Sequence, residues 1–130
     1  MEIVRSKEYL CLATRLANEK FGATKALTHD NTLTCADDEG FVGYVRWSVL
    51  EVSRVYAAEH IALEYIASVG RGGGTFLIDT LKELDIPIIL NCSPELRPWY
   101  ESQGFIKNRK QAVYKGVTLI YDNNTNTKGN

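Results

Sequence analysis

A glycine-rich turn, Gly70–Thr75 (GRGGGT), is the segment of this chain whose residue types are best suited to chemistry. Most of its residues lack a Cβ atom, so several backbone N–H groups can approach one ligand. The turn lies between a strand-like run, 60–68, and a helix-like run, 75–84, and therefore leads into a helix N-terminus. Because unpaired N–H groups and the helix dipole attract anions there, the turn predicts a site for a phosphate-bearing cofactor.

Two familiar phosphate-binding motifs do not match this turn. A loop that binds nucleoside triphosphates has a lysine before its Ser or Thr, because the lysine contacts the terminal phosphates and the hydroxyl holds magnesium. Here Gly74 precedes Thr75. The dinucleotide-binding motif needs a third glycine where Thr75 stands and an acidic residue at the end of the next strand, which here reads Leu90-Asn91-Cys92. The sequence therefore argues against ATP and against NAD.

The first half of the chain predicts one helix followed by a β-hairpin. Apolar residues at helical spacing predict a helix over 7–21, with Ser6 as its N-cap and Gly22 at its end. Strands are predicted over 32–36 and 41–50, and the acidic turn DDEG between them favours their pairing as a hairpin.

The second half predicts a strand–helix–strand unit around the glycine turn. A strand that ends at Ser68, the helix over 75–84 and an apolar strand over 86–90 follow each other directly. This order implies parallel pairing of the two strands with a right-handed crossover. A short helix near 95–103 and a last strand near 112–121 complete the predicted elements.

Two segments together resemble the GNAT (Gcn5-related) N-acetyltransferase superfamily: Val69–Gly74 (VGRGGG) and Trp99–Phe105 (WYESQGF). In that family an R/Q-x-x-G-x-G/A loop binds the pyrophosphate of acetyl-CoA, and a later segment reads roughly aromatic-Tyr-Glu-x-x-Gly-Phe. Here the motifs occur in that order, one helix and one strand apart, and the resemblance covers about 40–105. It implies an α/β (α+β) fold, in which a mixed, mostly antiparallel sheet has a central parallel pair splayed by acetyl-CoA and helices on its flanks.

The resemblance also implies an acid and a base for acetyl transfer. An amine with a pKa of about 10.4 is protonated at neutral pH, and freeing its base form costs about 4.6 kcal/mol, so a carboxylate base is useful. The family's acid corresponds to Tyr100, which would protonate the leaving thiolate. Its base is often a Glu on the strand before the loop, which favours Glu64, with Glu59 and His60 as alternatives.

The implied cofactor site has two parts. The end of the strand would offer backbone groups to the pantetheine arm of acetyl-CoA, and one N–H near Ile66 would polarise the thioester carbonyl. Val69 stands where the family has Arg or Gln, and Arg71 can supply the missing positive charge to a CoA phosphate. The expected cofactor-binding residues are Ile66, Ala67, Ser68, Gly70, Arg71, Gly72, Gly73, Gly74 and Thr75.

The composition suggests an ordinary cytoplasmic protein. A net charge of −1 over 130 residues, with a pI near 6.1, argues against nucleic-acid binding. There is no apolar leader and no run long enough to span a bilayer, so neither secretion nor membrane association is expected. Three cysteines without metal-site spacing are expected to be reduced, and no metal is predicted. We expect one domain over 1–121 and a polar, disordered tail over 122–130.

The predicted function is transfer of an acetyl group from acetyl-CoA to an amine by direct attack in a ternary complex. The amine acceptor is a small molecule or a protein, and the last strand offers an edge for a homodimer. One alternative is a non-catalytic module that binds CoA or a protein partner, which the short loop and the single N-terminal helix favour. A second alternative is a small interaction protein without a ligand.

Overall fold

Seven strands and three helices form the secondary structure of the described residues, which are 1–22, 26–112 and 115–123 of a computed structural model. In chain order they are β1 (Glu2–Ile3), α1 (Lys7–Phe21), β2 (Thr32–Asp37), β3 (Gly40–Leu50), β4 (His60–Ser68), α2 (Gly73–Lys82), β5 (Ile88–Cys92), α3 (Arg97–Ser102), β6 (Ile106–Lys107) and β7 (Val117–Tyr121).

The strands form one mixed sheet in the order β1-β2-β3-β4-β5-β7-β6. The β2–β3 hairpin is antiparallel, as are the pairs β1–β2, β5–β7 and β6–β7. Strands β4 and β5 are parallel and joined through α2, so the predicted strand–helix–strand unit is confirmed. The predicted fold class, a mostly antiparallel sheet with a central parallel pair and flanking helices, is also confirmed.

The parallel ladder between β4 and β5 is short. Its register joins Ile61 with Ile88 and Ala62 with Ile89, whereas β5 pairs with β7 along its whole length, from Ile88 to Cys92. Strand β4 continues through 63–68 beyond these two rungs. The predicted splaying of the pair by a ligand stays a prediction.

By their contacts the residues divide into two compact units, of which the first comprises Met1–Trp47 and Glu64–Thr80. Its helix α1 begins where the Ser6 hydroxyl accepts a hydrogen bond from the Tyr9 amide and ends at Gly22, with φ 76°, as predicted. The buried face of α1 packs against two strand residues, and this core consists of Ala13, Leu16, Ala17, Tyr44 and Ala67.

The second unit comprises Ser48–Leu63 and the chain from Leu81 onward. Strand β5 is apolar and almost wholly buried, as expected for a strand covered on both faces. A row of aromatic rings runs from α3 to β7, with Phe105 between Tyr100 and Tyr121 at ring-centre distances of 5.7 and 5.8 Å. The prediction of a single domain over 1–121 stays a prediction.

Helix α2 begins two residues earlier than predicted, at Gly73 instead of Thr75. The Phe76 amide donates to the Gly72 carbonyl at 3.0 Å, so the first helical turn closes inside the glycine run. Strand β5 begins at Ile88 instead of Ile86, because Pro87 lies just before it and its carbonyl accepts from the Ile61 amide at 2.7 Å.

Several boundaries in the last third also differ. Helix α3 begins at Arg97 instead of near residue 95, with Pro98 in its first turn, and a separate turn closed by the bond from the Leu96 amide to the Ser93 carbonyl precedes it. Strand β7 is shorter than predicted, and two-residue strands β1 and β6 were too short for a sequence pattern. Residues 124–130 of the predicted disordered tail lie outside the described residues.

Candidate functional site

The glycine turn adopts left-handed backbone at three consecutive residues. The φ angles are 100° at Gly70, 59° at Arg71 and 80° at Gly72. Glycine adopts this conformation freely, whereas a residue with a side chain does so at a cost of about 1–3 kcal/mol. A bond or ligand must therefore offset the strain at Arg71, and this pattern is common at sites that bind ligands.

The N-terminus of α2 presents unpaired amides. The Gly73 amide donates a hydrogen bond to the Gly70 carbonyl at 3.3 Å, which closes the turn. Within the described part of the chain, no group accepts a hydrogen bond from the amides of Gly72 and Gly74. Because the first amides of a helix lack partners and carry the positive end of the dipole, they can hold an anion, as predicted for this turn.

Two glycines allow β3 to pack closely against the start of α2 and against the end of β4. A Cβ atom at Gly73 would lie 2.5 Å from Val42 Cγ1, and one at Gly43 would lie 2.6 Å from the Ala67 carbonyl oxygen. Side chains cannot occupy such positions without moving the backbone. The role of Gly43 was missed from the sequence, because the neighbour that requires it lies 24 residues later at Ala67.

The predicted pantetheine-binding segment forms the C-terminal end of β4. Ala67 is buried in the core under α1, whereas Ile66 and Ser68 are only half-buried. Alternation along a strand places Ile66 and Ser68 on the face opposite to Ala67. The first unit thus holds all the predicted cofactor residues, which are Ile66, Ala67, Ser68, Gly70, Arg71, Gly72, Gly73, Gly74 and Thr75.

Arg71 points to the β2–β3 turn. Its guanidinium donates to Asp37 Oδ2 at 2.6 Å and to the Phe41 carbonyl at 3.1 Å, and it lies 3.8 Å from Glu39. The hydrogen bond from Arg71 lowers the pKa of Asp37. These bonds offset the strained backbone at Arg71, so any contact with a phosphate requires the side chain to exchange partners.

Glu64, the predicted base, forms an ion pair with Arg46. Arg46 Nη1 donates to Glu64 Oε1, and the two side chains are 12% and 26% exposed. The pair occupies one carboxylate oxygen.

His60, an alternative base, is buried and has a defined tautomer. Its Nδ1 lies 2.8 Å from the Ala58 carbonyl, and its Nε2 lies 3.1 Å from Ser53 Oγ. Because a carbonyl only accepts, Nδ1 carries the proton and Nε2 accepts from the serine hydroxyl. Glu59, the other alternative, is exposed and lines an acidic cavity with Asp85 and Asp122.

A cavity of about 320 Å³ lies over the sheet in the second unit, next to this histidine. Its walls include His60 and Ala62 of β4 and Asn91 of β5, and the loop before β4 covers it. This loop was missed from the sequence, because it contains no motif associated with binding. Its lining is Leu50, Ser53, Arg54, Val55, His60, Ala62, Ile89, Leu90, Asn91, Ala112 and Thr118.

Tyr100, the predicted acid, is 5% exposed on α3 in the second unit. Its ring packs edge-on against Trp99 at 4.9 Å and against Phe105 at 5.7 Å. Burial raises the pKa of Tyr100 to about 12, with a smaller contribution from Cys92. The phenol therefore keeps its proton at neutral pH and can donate it.

The cysteines are free, and Cys92 is buried. Burial raises the pKa of its thiol, which disfavours the reactive thiolate. In the described ranges, no three His, Cys, Asp or Glu side chains converge as a metal-ion site. No helix of those ranges combines the length and the apolar character needed to cross a membrane.

Solved structures that share this fold include N-acetyltransferases and an acyl-CoA N-acyltransferase. The Bacillus subtilis N-acetyltransferase YlbP protein, in complex with coenzyme A, has a TM-score of 0.62 and 13% identity over 72% of this chain and 68% of its own. An acyl-CoA N-acyltransferase from Pseudomonas aeruginosa has a TM-score of 0.64 and 17% identity, with coverages of 90% and 92%. Arabidopsis thaliana Naa50, in complex with the bisubstrate analogue CoA-Ac-MVNAL, has a TM-score of 0.66 and 13% identity, with coverages of 93% and 96%. No protein-family model and no curated protein matches the sequence.

Proposed function

Because the chain has the fold of the GNAT N-acetyltransferases, we propose that it transfers an acetyl group from acetyl-CoA to an amine. The observation that carries the proposal is the turn at Gly70–Gly72, whose left-handed backbone leads into α2, with the amides of Gly72 and Gly74 lacking an acceptor among the described residues. Two of the similar structures contain CoA or an analogue of it. The fold therefore supports the cofactor, and the turn supports the place where its pyrophosphate would bind.

In the proposed complex, backbone N–H groups of Gly70–Thr75 hold the pyrophosphate of acetyl-CoA. The pantetheine arm lies along Ile66–Ser68 and forms hydrogen bonds with the backbone of β4, as an additional β-strand would. An N–H near Ile66 polarises the thioester carbonyl and stabilises the oxyanion that forms during attack. Arg71 exchanges Asp37 for a phosphate of the cofactor.

The reaction is a direct attack within a ternary complex. Glu64 removes a proton from the ammonium form of the acceptor, and the free amine attacks the thioester carbonyl carbon. The nitrogen of the tetrahedral intermediate loses its second proton to water, to which Glu64 also releases the first. The intermediate then collapses, the C–S bond breaks and the electron pair leaves on sulfur. Tyr100 donates its phenolic proton to the thiolate, which gives free CoA and the acetylated amine. The phenolate then recovers a proton from solvent.

Acetyl-CoA binding and turnover test this proposal directly. Purified protein should bind acetyl-CoA and release CoA when amine acceptors from a panel of small molecules and peptides are added. A bound ligand raises the apparent stability by about 2.7 kcal/mol at a hundredfold excess over Kd, so a thermal melt reports binding independently of turnover. The absence of a thermal shift at millimolar acetyl-CoA would contradict both the assigned cosubstrate and the proposed function.

A variant of the loop separates specific from adventitious binding. Gly74→Glu places a carboxylate at the start of α2, where it favours the helix through the dipole but repels a pyrophosphate. We expect a folded protein that has lost acetyl-CoA binding. Asp79→Glu, on the same helix, keeps its charge and is the control. Unchanged affinity in Gly74→Glu would refute the placement of the pyrophosphate.

One observation favours the alternative of a non-catalytic CoA-binding module. The Arg46–Glu64 ion pair occupies the carboxylate that the reaction needs as a base. Tight acetyl-CoA binding with no turnover on any amine of the panel would support this alternative. We also propose a cytoplasmic location, with reduced cysteines, and an acceptor that is a small molecule or a protein.

A further inference from the structure

A third cavity, of about 570 Å³, lies in the second unit between the loop before β4 and the segment around β6. Its volume is within the range of pockets that bind small organic molecules. Apolar side chains of Val55, Ile106 and Ile120 contribute to its walls. The full lining is Ser53, Arg54, Val55, Tyr56, Ala57, Ile106, Lys107, Asn108, Arg109, Lys110 and Ile120.

The buried side chain of Asn108 holds the two walls together. Its Nδ2 donates to the Val55 carbonyl at 3.0 Å and to the Lys110 carbonyl at 2.7 Å. Gln111 Nε2 donates to the Asn108 carbonyl at 2.7 Å, which fixes the turn that follows β6. Because the bond from Asn108 to Val55 joins segments 53 residues apart in sequence, the fold itself holds the two walls of the cavity together.

The charged residues of this cavity are all cationic. Arg54, Lys107, Arg109 and Lys110 line it, and no Asp or Glu does. Over the described ranges, no carboxylate forms an ion pair with any of the four. The positive charge is local, since the whole chain has a net charge of −1. An apolar cavity rimmed by unpaired cations is complementary to an anion with an apolar body.

This cationic cavity adjoins the smaller cavity beside β4. The two share three lining residues, Ser53, Arg54 and Val55. The smaller cavity reaches His60 and Ala62 of β4. A molecule with its amine over β4 and its anionic group among the cations would occupy both.

We propose that the cationic cavity binds the anionic group of the acceptor, and that the acceptor is a small amine with an apolar body and a carboxylate or phosphate. This inference rests on the proposed function for the role of the amine. Binding of the anion itself depends only on the cavity. The two parts are therefore measured separately.

Tyramine phosphate and tyramine are matched probes, because they share the amine and the ring and differ in the anion. We expect tyramine phosphate to bind at least about tenfold more tightly by calorimetry, the order expected for hydrogen bonds to charged groups. The measurement is made with and without an excess of CoA, and an unchanged affinity shows that the phosphate does not bind at the glycine turn. Aminoethylbenzoate, which carries a carboxylate, then distinguishes carboxylate from phosphate recognition. Equal affinity for tyramine and both anions would overturn the proposal.

The double variant Arg109→Gln/Lys110→Gln tests the location. Both side chains are exposed, so the fold should survive, and we expect the advantage of the anionic probe to fall about tenfold. Lys115→Gln is the matched control, since Lys115 belongs to the same β6–β7 connection but does not line the cavity. An equal loss in the control would show general charge attraction and would contradict the assigned site.

Turnover separates this inference from the proposed function. If the anionic probe binds in the cavity but acetyl-CoA neither binds nor reacts, the assignment of the anion site is supported and the proposed acetyltransferase function is contradicted. If acetyl-CoA reacts equally well with tyramine and tyramine phosphate, the proposed function is supported and the proposed class of anionic acceptors is contradicted. The proposal predicts a lower KM for tyramine phosphate, and the double variant should remove this difference without changing the KM for acetyl-CoA.

Discussion

Arg71 forms a bidentate ion pair with Asp37, in which Nε donates to Oδ2 at 2.6 Å and Nη2 donates to Oδ1 at 3.4 Å. The contact joins the glycine turn to the β2–β3 turn, which lies 34 residues earlier in the chain. It also places a carboxylate beside the proposed pyrophosphate site. Asp37 therefore both supports the conformation of Arg71 and competes with the cofactor for its guanidinium.

The first prediction concerns this competition. We expect Asp37→Asn to strengthen acetyl-CoA binding severalfold, because Arg71 no longer has to leave a carboxylate and one negative charge near the phosphates is removed. Calorimetric titration with acetyl-CoA measures the change. Asp38→Asn, on the same turn, is the control, because no ion pair joins Asp38 to Arg71 in the part of the chain that is described. Weaker binding in Asp37→Asn would show that the pair serves mainly to shape the loop.

The second prediction concerns the pH dependence of stability. Arg71 lowers the pKa of Asp37 below its ordinary value of 3.8, so the folded chain binds a proton there less readily than the unfolded chain. The pair therefore stabilises the fold above that ordinary value, and this contribution is lost as the pH falls through the lowered pKa. We expect the Tm difference between the wild type and Asp37→Asn to be present at neutral pH and to disappear in acid. A difference that is independent of pH would rule out the ion pair as its cause.

The third prediction concerns the contact between α2 and β3. Gly73→Ala places a methyl group 2.5 Å from Val42 Cγ1, so we expect a loss of about 1–3 kcal/mol in the free energy of unfolding. Val42→Ala removes that methyl group, and combining the two changes should recover part of the loss. Urea denaturation of the two single variants and of the double variant measures the coupling. Additive losses would mean that the two side chains do not meet.

The fourth prediction concerns the proposed acid. Tyr100→Phe should lower kcat by about a hundredfold, the scale of general acid catalysis, and leave the affinity for acetyl-CoA unchanged. Since the pKa of Tyr100 is about 12, the wild-type rate should show no decline from its ionisation below about pH 10. Trp99→Phe, which alters the neighbouring ring but keeps the hydroxyl, is the control. Full activity in Tyr100→Phe would leave this residue only a packing role.

The fifth prediction separates the candidate bases. Glu64→Gln should lower kcat strongly if Glu64 accepts the proton, while His60→Gln should have a smaller effect because its Nε2 is occupied by Ser53. The pH profile of kcat for each variant identifies the group that loses its proton on the rising limb. A normal rate in Glu64→Gln with a large loss in both His60→Gln and Ser53→Ala would transfer the role to the Ser53–His60 pair.

The sequence predicted the elements around the loop because their signals are local. Ser6, Gly22 and the helical spacing between them identified α1 with its observed bounds. The starts of α2 and β5 differ from the predicted ones by two residues. The first turn of α2 closes inside the glycine run through the bond from the Phe76 amide to the Gly72 carbonyl, and β5 begins after Pro87, which has no amide to donate. Helix and strand ends depend on such neighbours, which a local pattern does not contain.

The sequence by itself determined the order of elements, the glycine turn before a helix and the Tyr100 motif one strand later, since spacing and residue type define these within a few residues. The tertiary structure decided which partners the site residues have: Asp37 for Arg71, Arg46 for Glu64, and Ser53 for His60. It alone also joined Asn108 to Val55 and so formed the cationic cavity. These pairs bring together residues from separate strands and loops, and only the folded sheet fixes the register that makes them neighbours.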